Sequence, residues 1–149
     1  MSVRNVLDWL EEAARLAPGN IAFDAPGKAM TWEQVWQAAQ ETGSLLATKT
    51  KAQQPVLILM DKSPDCLCAM LGAVCAGCFY TPLDSSMPQA RIQMIADALR
   101  PAVILYEEHY EEVAHGIAGD ARLCRYDAIP HSVDTALLRE RRAMHIDAD

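Results

Sequence analysis

Apolar residues recur at helical spacing from the start of the chain. Val3, Leu7, Leu10 and Ala14 share one side, and Asp8, Glu11, Glu12 and Arg15 share the other. The pattern predicts a helix that stops near Ala17, ahead of the breaker cluster Pro18-Gly19-Asn20. Ile21 to Phe23 reads as a short strand. Ala25-Pro26-Gly27-Lys28 is a turn that closes a hairpin with Ala29-Met30. Thr31-Trp32-Glu33-Gln34 has the form of a capping box: Thr31 accepts from the first turn and Gln34 reaches back to the Thr31 amide. The helix that follows carries an apolar face of Val35, Ala38, Ala39, Thr42, Leu45 and Leu46. It ends among Lys49, Lys51 and Gln53-Gln54.

The middle of the chain switches between strand and helix patterns. Pro55 to Met60 is apolar on both faces, as a parallel strand covered by helices should be. Asp61-Lys62 is its polar exit, Ser63 an N-cap and Pro64 the first helical residue. The helix from there to about Ala76 is apolar nearly all round, which predicts deep burial, with Gly77 as its C-cap. Phe79-Tyr80-Thr81 is predicted to be a buried strand that leaves through a polar loop at Asp84. Pro88 opens a helix through Ile92, Ile95, Ala96 and Leu99, ended by Arg100-Pro101. Ala102 to Tyr106 is a further buried strand. Glu107 to Ala118 reads as one helix with acids in its first turn. Arg122 to Tyr126 is a short strand. Beyond Ile129-Pro130 the pattern weakens to one helix from Val133 to Arg142. Strands alternating with helices predict an α/β layer fold with a mostly parallel sheet flanked by helices. No internal repeat, low-complexity run or Pro/Gly/Ser-rich linker divides the 149 residues, so they form a single domain or part of one.

Composition narrows the function classes. The chain is 51% apolar and 22% charged, as ordinary globular domains are. Net charge is −7, and residues 107–149 hold ten acids against five Arg. No basic cluster exists, which argues against a nucleic-acid partner. The first residues lack the apolar run of a signal peptide. Cys66 to Leu83 is uncharged for eighteen residues, close to a membrane span, but the break at Gly77 leaves each half too short to cross. Five Cys, an odd number without a secretory signal, point to reduced thiols and a cytoplasmic location. Cys66, Cys68, Cys75 and Cys78 are poorly spaced for a zinc site and read as small core hydrophobes. Trp9, Trp32 and Trp36 read as packing residues of the core or its edge.

Four segments, in order, carry a family resemblance. Val74 to Asp84 resembles the "AGxxYxPLD" segment of adenylate-forming ligases, which activate amino or other carboxylic acids with ATP. Asn20-Ile21-Ala22 with Met30 to Val35 resembles the family's "ltYxEL" motif, with Trp32 in place of Tyr. Val56 to Pro64 resembles the strand ending in an Asp-x-Ser-Pro turn. Pro88 to Ile92 resembles "PxxRI". The resemblance runs from about Asn5 to Tyr106. It is nearest to the amino-acid adenylation domains of nonribosomal peptide synthetases and to D-alanyl carrier protein ligases. It implies the N-terminal subdomain of that fold, and in the parent enzyme two half-reactions. ATP and a carboxylate give an acyl-adenylate and pyrophosphate, and the acyl group then passes to a phosphopantetheine thiol of a carrier protein or coenzyme A.

The resemblance places no catalytic residue in this segment. Its motif positions here are Thr31, Trp32, Ser63, Gly77, Tyr80, Pro82, Asp84 and Arg91, read as structural. The family's Ser/Thr/Gly-rich phosphate loop, its magnesium-binding Glu, ribose-binding Asp and C-terminal Lys have no counterpart among these residues. The chain is therefore read as an adenylation domain cut before its phosphate loop, binding no cofactor itself, with ATP and magnesium implied only for the longer enzyme. The remainder of that domain is the implied partner.

Two polar strand exits, Asp61-Lys62-Ser63 and Asp84-Ser85-Ser86, stand where open α/β sheets hold ligands, each before a helix N-terminus. The competing reading makes Ser63 a plain cap and Asp84 a loop brace. Arg91 reads as one half of a structural ion pair. His109 and His115, beside Glu111 and Glu112, do not share a helix face and read as a solvated surface rather than a metal site. Two other functional classes remain open: a free-standing α/β interaction module or split subunit, and a flavodoxin-like nucleotide- or flavin-binding protein.

Overall fold

The computed structural model describes residues 6–84 and 86–144. Val3 of the predicted first helix and Ser85 of the second polar exit lie outside the described residues. Helix α1 (Val6–Leu16) buries Leu7 and Leu10. Trp9 corrects the expectation of packing: it is 67% exposed, because burying Leu7 and Leu10 turns the residue between them outward. Strands β1 (Ile21–Ala25) and β2 (Lys28–Thr31) form the predicted antiparallel hairpin. Helix α2 (Trp32–Lys49) starts at the predicted capping box, with the Gln34 amide donating to Thr31 Oγ1 at 3.2 Å and the Thr31 amide to Gln34 Oε1 at 2.9 Å.

Strand β3 (Pro55–Leu59) leads to helix α3 (Pro64–Cys75), capped by the Ser63 hydroxyl on the Cys66 amide at 3.1 Å. The C-cap residue is Ala76 rather than Gly77. Gly77 follows it with φ +74, and its amide and that of Cys78 return to the carbonyls of Val74 and Ala73. This double closure needs a left-handed residue, which glycine adopts without a Cβ penalty. Strand β4 (Phe79–Leu83), helix α4 (Gln89–Leu99) and strand β5 (Val103–Tyr106) come next. The single helix predicted over Glu107–Ala118 is instead a 3-10 turn (Glu108–Tyr110) followed by α5 (Glu111–Ile117). Tyr110 is buried at that junction and its hydroxyl bonds across to Asp61, which fixes the tighter first turn. Strand β6 (Arg122–Arg125) and helix α6 (Thr135–Met144) complete the chain.

β4, β3, β5 and β6 lie in that order in one wholly parallel sheet, and the hairpin stands apart from it. Val56 and Ile58 of β3 pack with α2 and α3 residues on one face, and Leu57 and Leu59 pack with α4 and α5 residues on the other. A third cluster joins α1, the hairpin, α2 and α3. The α2–α3 crossing is close: a Cβ on Gly72 would lie 2.5 Å from Thr42 Cβ.

β4 departs from the sequence expectation of a buried strand. It is an edge, paired only with β3, and Phe79 (59%) and Tyr80 (41%) are exposed. All five cysteines are buried and free. Arg141 of α6 is buried too. Its guanidinium donates to the carbonyls of Ala47 and Thr50 at the end of α2 and of Ala76 at the end of α3. Its neighbour Arg142 pairs with Asp8 and Glu11 of α1.

Candidate functional site

The chain steps from β3 to β4 on one side, then crosses to β5 on the other. In an open α/β sheet the crevice at the carboxyl ends of the two strands flanking such a reversal is where ligands sit. Here those strands are β3 and β5. Their register sets Leu59 opposite Tyr106, so the residues that leave them meet. The Asp61 amide donates to Glu107 Oε1 at 2.7 Å, and the Glu107 amide to the Leu59 carbonyl at 3.1 Å. The Tyr110 hydroxyl donates to Asp61 Oδ1 at 2.6 Å. His109 Nε2 lies 2.9 Å from Asp61 Oδ2, and its ring rests on that of Tyr110 with centroids 4.4 Å apart.

Charge surrounds this group. Arg125, leaving β6, pairs with Asp127 at 2.7 Å and lies within 4 Å of Glu108 and Glu111. The hydrogen bonds from Arg125 hold Asp127 below its ordinary value. Burial raises the Tyr106 phenol, and Glu111 beside it raises it further. Burial pushes the Cys66 thiol up, and the negative charges of Glu107, Asp61 and Asp84 add to the effect. The carboxyl end of the sheet is thus a negative region with exposed ligand-capable groups.

The motif residues divide between several places. Ser63 caps α3 beside a cavity of about 630 Å³ lined by Phe23, Pro64, Leu67, Met70 and Lys62. Asp84 accepts from the hydroxyl and, at 2.9 Å, the amide of Ser86, and these bonds hold its carboxyl below the ordinary value. Ser63 and Asp84 therefore flank the carboxyl ends of neighbouring strands. Thr31 caps α2, and Trp32 packs in the third cluster with its ring 6.3 Å from that of Phe23. Gly77 lies at the opposite, amino end of β4, where its carbonyl accepts from the Gln53 amide at 2.7 Å. Tyr80 and Pro82 lie on the open edge. Arg91 is exposed at the start of α4 and pairs with no acid among the described residues. The sequence reading singled out Asp61 and His109 separately. It missed Glu107 and Tyr110 as their partners, because only the β3–β5 register unites them.

The architecture is that of a doubly wound parallel α/β domain, and its relatives narrow it further. The AMP-binding enzyme family matches residues 10–146, so this chain belongs to that family. The match continues well past Tyr106, where the recognisable motifs end. An isonitrile lipopeptide synthase of Streptomyces coeruleorubidus is 30% identical over 104 residues, 69% of this chain and 7% of that protein. A D-alanine–D-alanyl carrier protein ligase of Staphylococcus haemolyticus is 27% identical over 100 residues, 67% of this chain and 20% of that protein. The chain thus spans a fifth or less of these two relatives. Among solved structures, the nonribosomal peptide synthetase FmoA3 superposes with a TM-score of 0.77 at 20% identity, over 88% of this chain and 14% of that one. The N-terminal domain of FACL13 from Mycobacterium tuberculosis gives 0.75 at 20% identity, over 92% and 36%. These likenesses establish the fold as that of adenylate-forming ligase N-terminal domains.

Proposed function

We propose that this chain is the opening subdomain of an ATP-dependent ligase. That enzyme would activate an amino or other carboxylic acid as its acyl-adenylate and pass the acyl group to a phosphopantetheine thiol. The single observation that carries the reading is the family match over residues 10–146. The acceptor is a carrier protein or coenzyme A, and the remainder of the adenylation domain is the direct partner. The D-alanyl carrier protein ligase relative supports the carrier-protein form. The open edge at Phe79 and Tyr80 supports a partner surface. Five free, buried thiols support residence in a reducing cytoplasm. No helix among the described residues is long and apolar enough to cross a membrane.

The chain alone does not catalyse the reaction in this reading. ATP and magnesium enter through residues elsewhere in the enzyme. Support comes from the described carboxyl-end loops, which do not fit a triphosphate. Residues 60–63, 84, 86–88 and 107–108 include no glycine. The amides of Asp61, Cys66 and Ser86 are already bonded to side chains of the protein. A phosphate cradle needs free, converging amides. ATP–pyrophosphate exchange tests this directly. No exchange is expected from the purified 149 residues with any acid, and robust exchange would overturn the reading. Sequencing the coding DNA past codon 149 tests the parent. A frame entering a Ser/Thr/Gly-rich loop with Pro-Lys-Gly supports the ligase. A stop codon favours the second reading, a stand-alone module or split subunit without catalysis of its own.

A further inference from the structure

Among the described residues, one group of His, Asp and Glu side chains converges closely enough to hold a metal ion. It comprises Asp61 from the end of β3 and Glu107 and His109 from the end of β5. Each offers one ligand atom, and these atoms lie within 4.8 Å of one another. A first-row ion with bonds of about 2.0–2.2 Å sets its ligands roughly 3–3.5 Å apart. A small rotation of half-exposed side chains covers the difference, and Asp61 and His109 have side chains 52% and 54% exposed.

The donors are also held from behind. Tyr110 occupies Asp61 Oδ1 and supports the imidazole face, and the Asp61 amide occupies Glu107 Oε1. Asp61 Oδ2 and His109 Nε2 already face each other at 2.9 Å, and Glu107 supplies the third donor of the group. Metal sites commonly show such outer-shell bracing, which fixes the direction of each ligand. The location is independent support: the group stands at the reversal between β3 and β5, where sheets of this topology place ligands.

We propose that Asp61, Glu107 and His109 bind one divalent first-row transition ion, such as zinc, with water completing its shell. The imidazole nitrogen favours such an ion over magnesium or calcium, which prefer all-oxygen shells. The ion would tie the β3 exit to the β5 exit. The inference does not depend on the adenylation chemistry.

The test uses the tag-free 149-residue chain, stripped by chelator, then titrated with Zn²⁺ by calorimetry and Co²⁺ by visible absorption. One saturable site per chain is expected. His109→Ala, Asp61→Asn and Glu107→Gln should each weaken it at least about tenfold. His115→Ala, on the same segment but outside the group, should leave it unchanged. His109 is exposed, so its variant keeps the test alive if Asp61→Asn fails to fold, and far-UV circular dichroism checks each fold. Absence of saturable binding up to about 1 mM would overturn the proposal. So would affinity that His109→Ala leaves unaltered, or a thiolate-to-cobalt charge-transfer band that puts the ion on cysteine.

Discussion

Replacing Arg141 should cost more stability than replacing any other charged residue of α6. Arg141 is 8% exposed, and its guanidinium serves the carboxyl-terminal carbonyls of two helices, at Ala47 and Thr50 of α2 and at Ala76 of α3. The Thr50 hydroxyl also accepts from it at 3.3 Å. Both helices present the negative ends of their dipoles there, so the cation is favoured by the backbone rather than by a carboxylate. A hydrogen bond to a charged group contributes about 1.5–3 kcal/mol net. Several such bonds on one side chain overlap, and water reaching the freed carbonyls recovers part of the loss. Arg141→Ala should therefore destabilise by roughly 3–4 kcal/mol. For a chain of this size that corresponds to a melting temperature about 10 °C lower. Arg141→Lys keeps the charge but not the fork that spans both helices, and should lose roughly half as much. Arg142→Ala is the internal control. Its pairs with Asp8 and Glu11 lie near the surface, with the Arg142 side chain 31% exposed, and should be worth less than about 1 kcal/mol. Urea denaturation followed by circular dichroism measures all three. An Arg141→Ala loss no larger than that of Arg142→Ala would refute the reasoning.

Three further outcomes follow from named contacts. Gly72→Ala should destabilise by at least about 2 kcal/mol in the same urea assay, since its Cβ would meet Thr42 at 2.5 Å across the α2–α3 crossing. Ser63→Ala and Thr31→Ala should each cost about 1 kcal/mol through a lost N-cap, read from the denaturation midpoint. Burial raises the thiols of Cys68 and Cys75 from 9.0 to about 12, so the folded state holds their protons longer than the unfolded state. Their contribution is therefore fully present below pH 9 and lost as pH rises from about 9 towards 12. Melting temperature should fall across that window, and Cys68→Ala with Cys75→Ala should flatten the fall.

Local pattern revealed those parts of the fold that local chemistry decides. The Thr31 capping box, the Ser63 cap with Pro64, and the doubly apolar run Val56 to Leu59 all needed only near neighbours in sequence, and all stand in the structure as read. Strand order is a different kind of information. Phe79-Tyr80-Thr81 is as apolar as a buried strand, yet its place at the end of the order β4-β3-β5-β6 exposes it. The same limit hid the candidate site. Asp61 and Glu107 are 46 positions apart and meet because two parallel strands end level. Arg141 was hidden by its surroundings, since Arg139, Glu140 and Arg142 make that stretch read as a solvated helix and only the packing of α6 selects one Arg for burial.

The proline in β4 has a consequence for how two copies of the chain meet. The Phe79 amide points inward to the Gln54 carbonyl, so in an alternating strand Tyr80 and Pro82 turn their backbone groups outward. Tyr80 has an amide to offer there and Pro82 has none. A second chain approaching this edge finds a broken row of donors in place of a template. Copies of the chain are thus poor at zippering into aggregates through this edge even though Phe79 and Tyr80 stand uncovered on it.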